Sequence, residues 1–193
     1  MFRASRLLPL AVAAVAVVLS TAACGSGNKS AATTTAATTT SGSNTDASTW
    51  ANSVCSAFVT WRAAVSSAGK TVAANPTKAT VDAGVASAKT ATATLKSTLQ
   101  GLKAHAPSSS AAAEAQTALQ QLKGQLQNDV VVIQRTVASV PSGTTGASQA
   151  ASEVKTGLLT MRSQIAATGK TLRSLPSGEV GEAFKSAPAC KSL

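Results

Sequence analysis

Apolar side chains between residues 49 and 193 recur at intervals of three and four, the spacing of one face of an α-helix. The pattern falls into four blocks of about 25 to 30 residues each, and no segment alternates with the period of two that is typical of a strand. The stripe positions of the four blocks are Val54, Phe58, Trp61, Val65, Ala68 and Val72; then Val81, Val85, Ala88, Thr92, Leu95, Leu99 and Leu102; then Leu119, Leu122, Leu126, Val130, Ile133, Val137 and Val140; and finally Ala147, Ala151, Val154, Leu158, Met161, Ile165, Thr168, Leu172 and Leu175.

Helix-breaking residues separate the blocks. Pro76, Pro107 and Pro141 lie between successive blocks, and Pro176 follows the last one. Proline lacks a backbone N–H and clashes with the preceding turn, so each block ends before its proline. Four helices of similar length joined by short turns pack most simply as a bundle. We therefore predict an all-α fold: an antiparallel up-and-down four-helix bundle, followed by a short C-terminal helix from Glu179 to about Ser186.

The N-terminus has the pattern of an export signal. Two arginines precede an uncharged apolar run from Leu7 to Leu19, and small residues follow it up to Cys24. The run is too short to span a bilayer comfortably, and small residues before a cleavage point are typical of secretory signals. We predict that residues 1–23 form a signal peptide that the mature protein lacks.

The residues around the cleavage point resemble the lipobox of bacterial lipoproteins. Ala22, Ala23 and Cys24 match it, whereas Thr21 stands where leucine is usual. The resemblance implies a diacylglycerol on Cys24, which would anchor the protein in the outer face of the cell membrane. Two or three acyl chains hold a protein to a bilayer for a long time. An ordinary secretory signal cut after Ala23, with Cys24 left as a thiol, is the alternative, and an uncut anchor is a third possibility.

The segment after Cys24 has the composition of a tether. Residues 25–48 contain no large apolar side chain, so they cannot bury enough surface to offset their conformational entropy. A flexible coil of this length spans roughly 25 to 30 Å. Its threonines and serines are also compatible with O-linked sugars. We divide the chain into the signal peptide, a lipidated cysteine with a disordered tether at 24–48, and the helical domain at 49–193.

The predicted core has small side chains, so an additional constraint is expected. Many stripe positions are alanine or threonine, and a glycine inside a helix costs about 1 kcal/mol relative to alanine. With Cys24 assigned to lipid, Cys55 and Cys190 remain as a pair outside the reducing cytosol. An even number of helices returns the chain to the end where it entered, which brings Cys190 toward Cys55. We predict a disulfide between them.

The aromatic residues of the helical domain lie near these two cysteines. Trp50, Phe58 and Trp61 flank Cys55, and Phe184 precedes Cys190. They predict one cluster beneath the disulfide. Its two interpretations are a core anchor and an aromatic-lined ligand site, of which we favour the anchor.

The sequence contains no complete catalytic or cofactor-binding motif. Gly69-Lys70-Thr71 and Gly169-Lys170-Thr171 look like the end of a phosphate-binding loop, but both lie on helical stripes and lack the required first glycine. His105 is the only histidine, and a catalytic triad would need it to meet Asp82 or Asp129 across the fold. The acidic residues show no metal-ligand spacing. We predict no enzyme activity, no cofactor and no metal site.

The chain is basic, with 17 lysines and arginines against 7 acidic residues and a net charge of +10. Lys89, Lys96 and Lys103 recur every seven residues and form a positive edge on the second helix. This edge is either a solvated helix face or a contact for anionic phospholipid or acidic envelope polymer. Nucleic acid is disfavoured as a partner because the chain is exported and its basic residues are not interleaved with aromatic ones.

The overall arrangement resembles a group of uncharacterised actinobacterial lipoproteins. The shared features are the lipobox, the Ala/Thr-rich tether, the opening Trp50 to Cys55 and the closing Ala183 to Cys190. The resemblance implies a membrane location and brings no activity. We interpret the protein as a non-catalytic binding or envelope-organising module with protein or polymer partners. An accessory carrier of a small apolar or lipid ligand, held between the helices, is the alternative.

Overall fold

The computed structural model describes residues 41–141 and 143–193. Within these residues the chain is helical and contains no strand. The helices are α1 (Ser41–Ala74), α2 (Lys78–Lys103), α3 (Ser110–Ser139), α4 (Thr144–Arg173), α5 (Glu179–Ser186) and α6 (Pro188–Lys191). The four long helices pack against one another, so the predicted all-α four-helix bundle with a short C-terminal helix is confirmed. The structure also contains helix α6, one turn long, which the sequence analysis did not predict.

The first helix begins earlier than the sequence predicted. The signal peptide, Cys24 and the tether up to residue 40 lie outside the described residues. We placed the end of the tether at residue 48, but α1 begins at Ser41 and Ala47 is fully buried. Ala47 lies four residues before Ala51 and seven before Val54, on the same face as the apolar stripe. Alanine carries little hydrophobic signal, so a boundary drawn from large apolar side chains leaves the first turns of α1 outside the helical domain.

Three contacts fix the antiparallel register of α1 and α2. The Trp50 indole N–H donates to the Leu102 carbonyl at 2.9 Å, and the Trp61 indole N–H donates to Thr92 Oγ1 at 3.2 Å. Further along, Gly84 lies against Val72. Positions rise along α1 as they fall along α2, so the two helices run in opposite directions.

The predicted stripes form the core. Most stripe residues are buried, and their side chains join one continuous apolar cluster. The exceptions are half-buried and lie within about two turns of a helix end. They are Leu102, Val137, Val140, Ala147 and Thr168. Thr92 is buried in the α1–α2 interface, where its hydroxyl accepts the hydrogen bond from Trp61 and so is satisfied.

The residues just before α2, α3 and α4 determine where these helices begin. Thr77 caps α2 in a reciprocal arrangement with Thr80, and the Ser109 hydroxyl caps α3 by accepting from the Ala112 backbone N–H. Gly143 precedes α4 with a φ of 114°, a conformation that only glycine adopts without strain. The starts of these three helices can therefore be explained by the residue types at their N-termini.

The disulfide between Cys55 and Cys190 closes the fold. Their sulfur atoms are 2.01 Å apart, their Cα atoms are 5.0 Å apart, and both residues are fully buried. The bond joins positions 135 residues apart, so it links α1 to the end of the chain. The predicted pairing of these two cysteines is confirmed.

Hydrogen bonds hold the C-terminal segment along α1 and α4 beside the disulfide. Asn52 Oδ1 accepts from the Ala189 backbone N–H at 3.2 Å, and an Arg173 guanidinium N–H donates to the Cys190 carbonyl at 2.7 Å. Arg62 on α1 donates to the carbonyls of Ser192 and Leu193. The last residues of the chain are therefore fixed from two helices as well as by the covalent bond.

Two aromatic residues, Trp50 and Phe184, meet at this same end of the bundle. The rings of Trp50 and Phe184 meet edge to face, with centroids 5.4 Å apart and planes inclined by 72°. Phe58 and Trp61 are buried further along α1. Since all four side chains are almost completely buried, they act as core anchors.

Two glycines of the bundle are expected to respond in opposite ways to alanine substitution. A Cβ at Gly84 would overlap Val72 Cγ2, which a β-branched side chain cannot easily move, whereas a Cβ at Gly124 would meet nothing within 4 Å. Overpacking costs about 1 to 3 kcal/mol, and removing an unhindered helical glycine gains about 1 kcal/mol. Urea unfolding should therefore show Gly84→Ala less stable and Gly124→Ala more stable than the parent chain. Equal stabilisation by both changes would contradict the close approach of α1 and α2.

Removal of the disulfide should strongly destabilise the domain. The chain-entropy estimate for a closed loop of this length is about 5 kcal/mol, comparable to the net stability of a whole domain. Cys55→Ala/Cys190→Ala is therefore expected to lose most of its free energy of unfolding in urea. A reductant should destabilise the parent chain similarly and leave the double variant unchanged, and an unaffected parent chain would be the contrary result.

Candidate functional site

An open groove runs along the outer side of the α1–α2 pair. Its volume is about 790 Å³, within the range of ligand sites in proteins. The groove spans from Asn52 to Ala64 on α1, a rise of about 18 Å. The residues that line it are Asn52, Ser53, Ser56, Ala57, Thr60, Trp61, Ala64, Ala86, Ser87, Thr90, Ala91, Thr94, Leu95 and Thr98.

The groove exists because α1 and α2 carry small side chains beside their apolar stripes. Ala57 and Ala91 are half-buried where the two helices meet, and the buried side chains of Trp61 and Leu95 form the floor. Around them stand exposed alanine methyls and the hydroxyls of serine and threonine. Small residues leave the space above the helix contact empty, whereas leucine or lysine at these positions would fill it.

The lining residues include no charged group, although the chain is strongly basic. Two of the lining hydroxyls are engaged with the backbone of their own helix: Ser53 donates to the Thr49 carbonyl and Thr98 to the Thr94 carbonyl. The hydroxyls of Thr60, Thr90 and Thr94 are exposed and have no hydrogen-bond partner among the described residues. The groove therefore offers methyl groups and neutral hydroxyls to a partner.

The three lysines of the second helix lie on its other edge. At about 100° per residue, Lys89, Lys96 and Lys103 point away from the groove and toward α3. Lys96 and Lys103 each line a small hollow with Lys123 of α3, and each hollow is about 10 Å³. The structure thus places Lys96 and Lys103 along the α2–α3 seam, and Lys89 follows them on the same edge of α2, separate from the groove.

His105 lies at the end of the bundle where α1 begins. It lines a hollow of about 610 Å³ together with Asp46 and Glu179. Asp82 and Asp129, the carboxylates that a triad would have required, do not line this hollow. The His105 ring makes no side-chain hydrogen bond among the described residues, and one buried oxygen of Glu179 has no partner there. No nucleophile, base and acid are hydrogen-bonded to one another at this place.

The remaining sequence candidates have plain structural roles. Gly69-Lys70-Thr71 lies inside α1 and Gly169-Lys170-Thr171 inside α4, not in loops after strands. Among the described residues no three histidine, cysteine or acidic side chains are grouped closely enough to hold a metal ion.

None of the described helices has the length and apolar character needed to cross a bilayer. Cys24, the predicted lipidation site, lies outside the described residues.

Sequence reasoning missed the groove, although a signal for it is present. A second stripe of small residues accompanies the apolar one at the same three-and-four spacing. On α1 it runs through Ser53, Ser56, Thr60 and Ala64, and on α2 through Ser87, Thr90, Thr94 and Thr98. In a chain so rich in alanine, serine and threonine, this stripe does not stand out until the two helices are placed side by side.

Comparison of the chain with protein-family models, with curated proteins and with solved structures finds no match.

Proposed function

We propose that this protein is a lipid-anchored module on the outer face of the cell membrane that binds a partner without catalysis, and that the α1–α2 groove receives the partner. The observation that carries the proposal is the groove itself, about 790 Å³ of neutral space between two closely packed helices. Its lining lacks the charged and nucleophile–base groups that chemistry would need.

The partner that best fits the groove is an uncharged apolar face of a protein helix. The length of about 18 Å corresponds to roughly three helical turns. The walls are alanine, serine and threonine, which allow the backbone of a third helix to approach closely while its larger side chains fill the space above Trp61 and Leu95. The free hydroxyls of Thr60, Thr90 and Thr94 can bond polar groups along the sides of such a helix.

A carrier of a small apolar or lipid ligand is the second candidate. The volume of the groove falls within the range of ligand sites, which favours this function. A carrier, however, must cover most of its ligand, and this groove is open along its length. The hollows between α2 and α3 have room for about one water each. The open shape therefore favours a partner that remains partly outside.

The membrane anchor in this proposal rests on the N-terminal sequence. The signal pattern and the lipobox-like residues before Cys24 support export and lipidation. The buried Cys55–Cys190 disulfide is in keeping with a domain outside the reducing cytosol. A binding module held near the bilayer by a tether meets partners in the envelope at a raised effective concentration.

Photo-crosslinking in intact cells tests the groove. A benzophenone amino acid at Thr60 or at Thr90 is expected to form an adduct, and the mass of the adduct distinguishes a polypeptide from a lipid. The matched control is the same amino acid at Thr160, an exposed threonine of α4 outside the groove. Filling the groove with Thr94→Trp should abolish adducts from Thr60. Equal yields from Thr160, or adducts that survive Thr94→Trp, would contradict the proposal.

Replacement of the predicted lipidation site tests the anchor. Cys24→Ala is expected to move the protein from the membrane fraction to the medium, because the variant cannot carry the acyl chains that hold it to the bilayer. Fractionation with immunoblotting measures the distribution, and Ser30→Ala in the tether serves as the control. A Cys24→Ala protein that stays in the membrane fraction would show that lipid is not the anchor.

A further inference from the structure

Four lysines form one basic surface along the α2–α3 seam, which we name the lysine seam. Lys89, Lys96 and Lys103 follow one edge of α2, with successive Cα atoms about 10 Å apart along the helix axis. Lys123 of α3 lies across from Lys96 and Lys103, and it lines one hollow with each of them. The Cα atoms of the three α2 lysines therefore span about 20 Å along the helix, toward the end of the bundle where α1 begins, and Lys123 adds a fourth cation beside Lys96 and Lys103.

Within the described part of the chain, no carboxylate forms an ion pair with a lysine of the seam. The two ion pairs among the described residues join Lys78 to Asp82 and Lys185 to Glu182, so neither involves a seam lysine. The hollows lined by Lys96, Lys103 and Lys123 include no acidic residue. A row of uncompensated like charges is unfavourable by itself, and an anion bound along it relieves the repulsion.

Neutral hydrogen-bonding groups accompany these charges. Gln100 of α2 and Gln116 and Gln120 of α3 line the hollow between Lys103 and Lys123. Each glutamine offers an amide donor and an acceptor, which suits a partner that carries hydroxyl or carbonyl groups between its charges. The seam thus combines regularly spaced cations with amides.

We propose that the lysine seam binds a linear polyanion, a chain that bears phosphate or carboxylate groups at intervals and is laid along α2 and α3. The line of charges matches an extended polymer, and the hollows of about 10 Å³ are too small to enclose a separate anionic molecule. This site lies on the opposite edge of α2 from the groove. The inference does not depend on what the groove binds.

A linear polyanion fits the seam better than an anionic bilayer does. Proteins that lie on bilayers combine cations with apolar side chains that enter the headgroup region. The apolar residues that line the seam's hollows are all buried or half-buried and do not protrude. They are Trp50, Leu99, Leu102, Leu119, Leu126 and Leu95.

Amine footprinting of the full chain distinguishes these partners. The protein is placed in vesicles of phosphatidylcholine, an amine-reactive reagent is added, and the modification of each lysine is measured by mass spectrometry. Inorganic polyphosphate or hyaluronate is expected to protect the four seam lysines, but not the exposed Lys155 and Lys170 of α4. Dextran, a neutral polymer, should protect none. Equal protection of Lys155 and Lys170 by the polyanions, or no protection at all, would overturn the proposal. So would protection of the seam by phosphatidylglycerol vesicles in the absence of polymer.

Charge-matched variants measure the contribution of the seam. At about five-fold for each lysine, Lys96→Gln/Lys123→Gln should lower the affinity for fluorescent polyphosphate about 25-fold. Lys155→Gln/Lys170→Gln, with the same loss of charge on α4, should have little effect, and Lys96→Arg/Lys123→Arg should retain binding. Circular dichroism confirms that each variant is folded. Equal losses in the two glutamine variants would show that net charge alone attracts the polymer, and would overturn the seam as a site.

Discussion

The covalent bond between Cys55 and Cys190 is the constraint on which the rest of this bundle depends. Alanine and valine make up about half of the buried apolar residues, and each buries less apolar area than leucine would at the same position. The disulfide shrinks the ensemble of the unfolded chain over a separation of 135 residues, and so stabilises the fold without requiring larger side chains. It also fixes the C-terminal segment that carries Phe184, whose ring packs edge to face on Trp50.

The small side chains that weaken the core also shape the surface. Where Gly84 lies against Val72, α1 and α2 approach closely, and the alanines, serines and threonines beside this interface leave the groove open. The opposite edge of α2 carries the lysines instead. One helix therefore separates two surfaces of different chemistry, a neutral one shared with α1 and a cationic one shared with α3.

The helices and the disulfide could be predicted from the sequence because each depends on a strong local signal. Stripe residues such as Phe58 and Leu122 repeat at a helical period, and proline marks each turn. The start of α1 could not be predicted in this way. Ala47 is buried there, but alanine carries little hydrophobic signal in a sequence. The groove could not be predicted from the sequence either, because Thr60 and Thr94 line the same groove only once α1 and α2 have packed together. The position of Lys123 between Lys96 and Lys103 likewise depends on the register between α2 and α3.

The placement of Cys55 within α1 has a mechanical consequence. Tension applied to the chain before Ser41 enters the domain through the first turns of α1, upstream of the crosslink. Peeling α1 from its neighbours beyond that point must drag the C-terminal segment with it, together with the hydrogen bonds that Arg173 makes to this segment. A load on the N-terminal side is thus shared between the two ends of the polypeptide, so the crosslink resists unfolding of the domain from its N-terminal side.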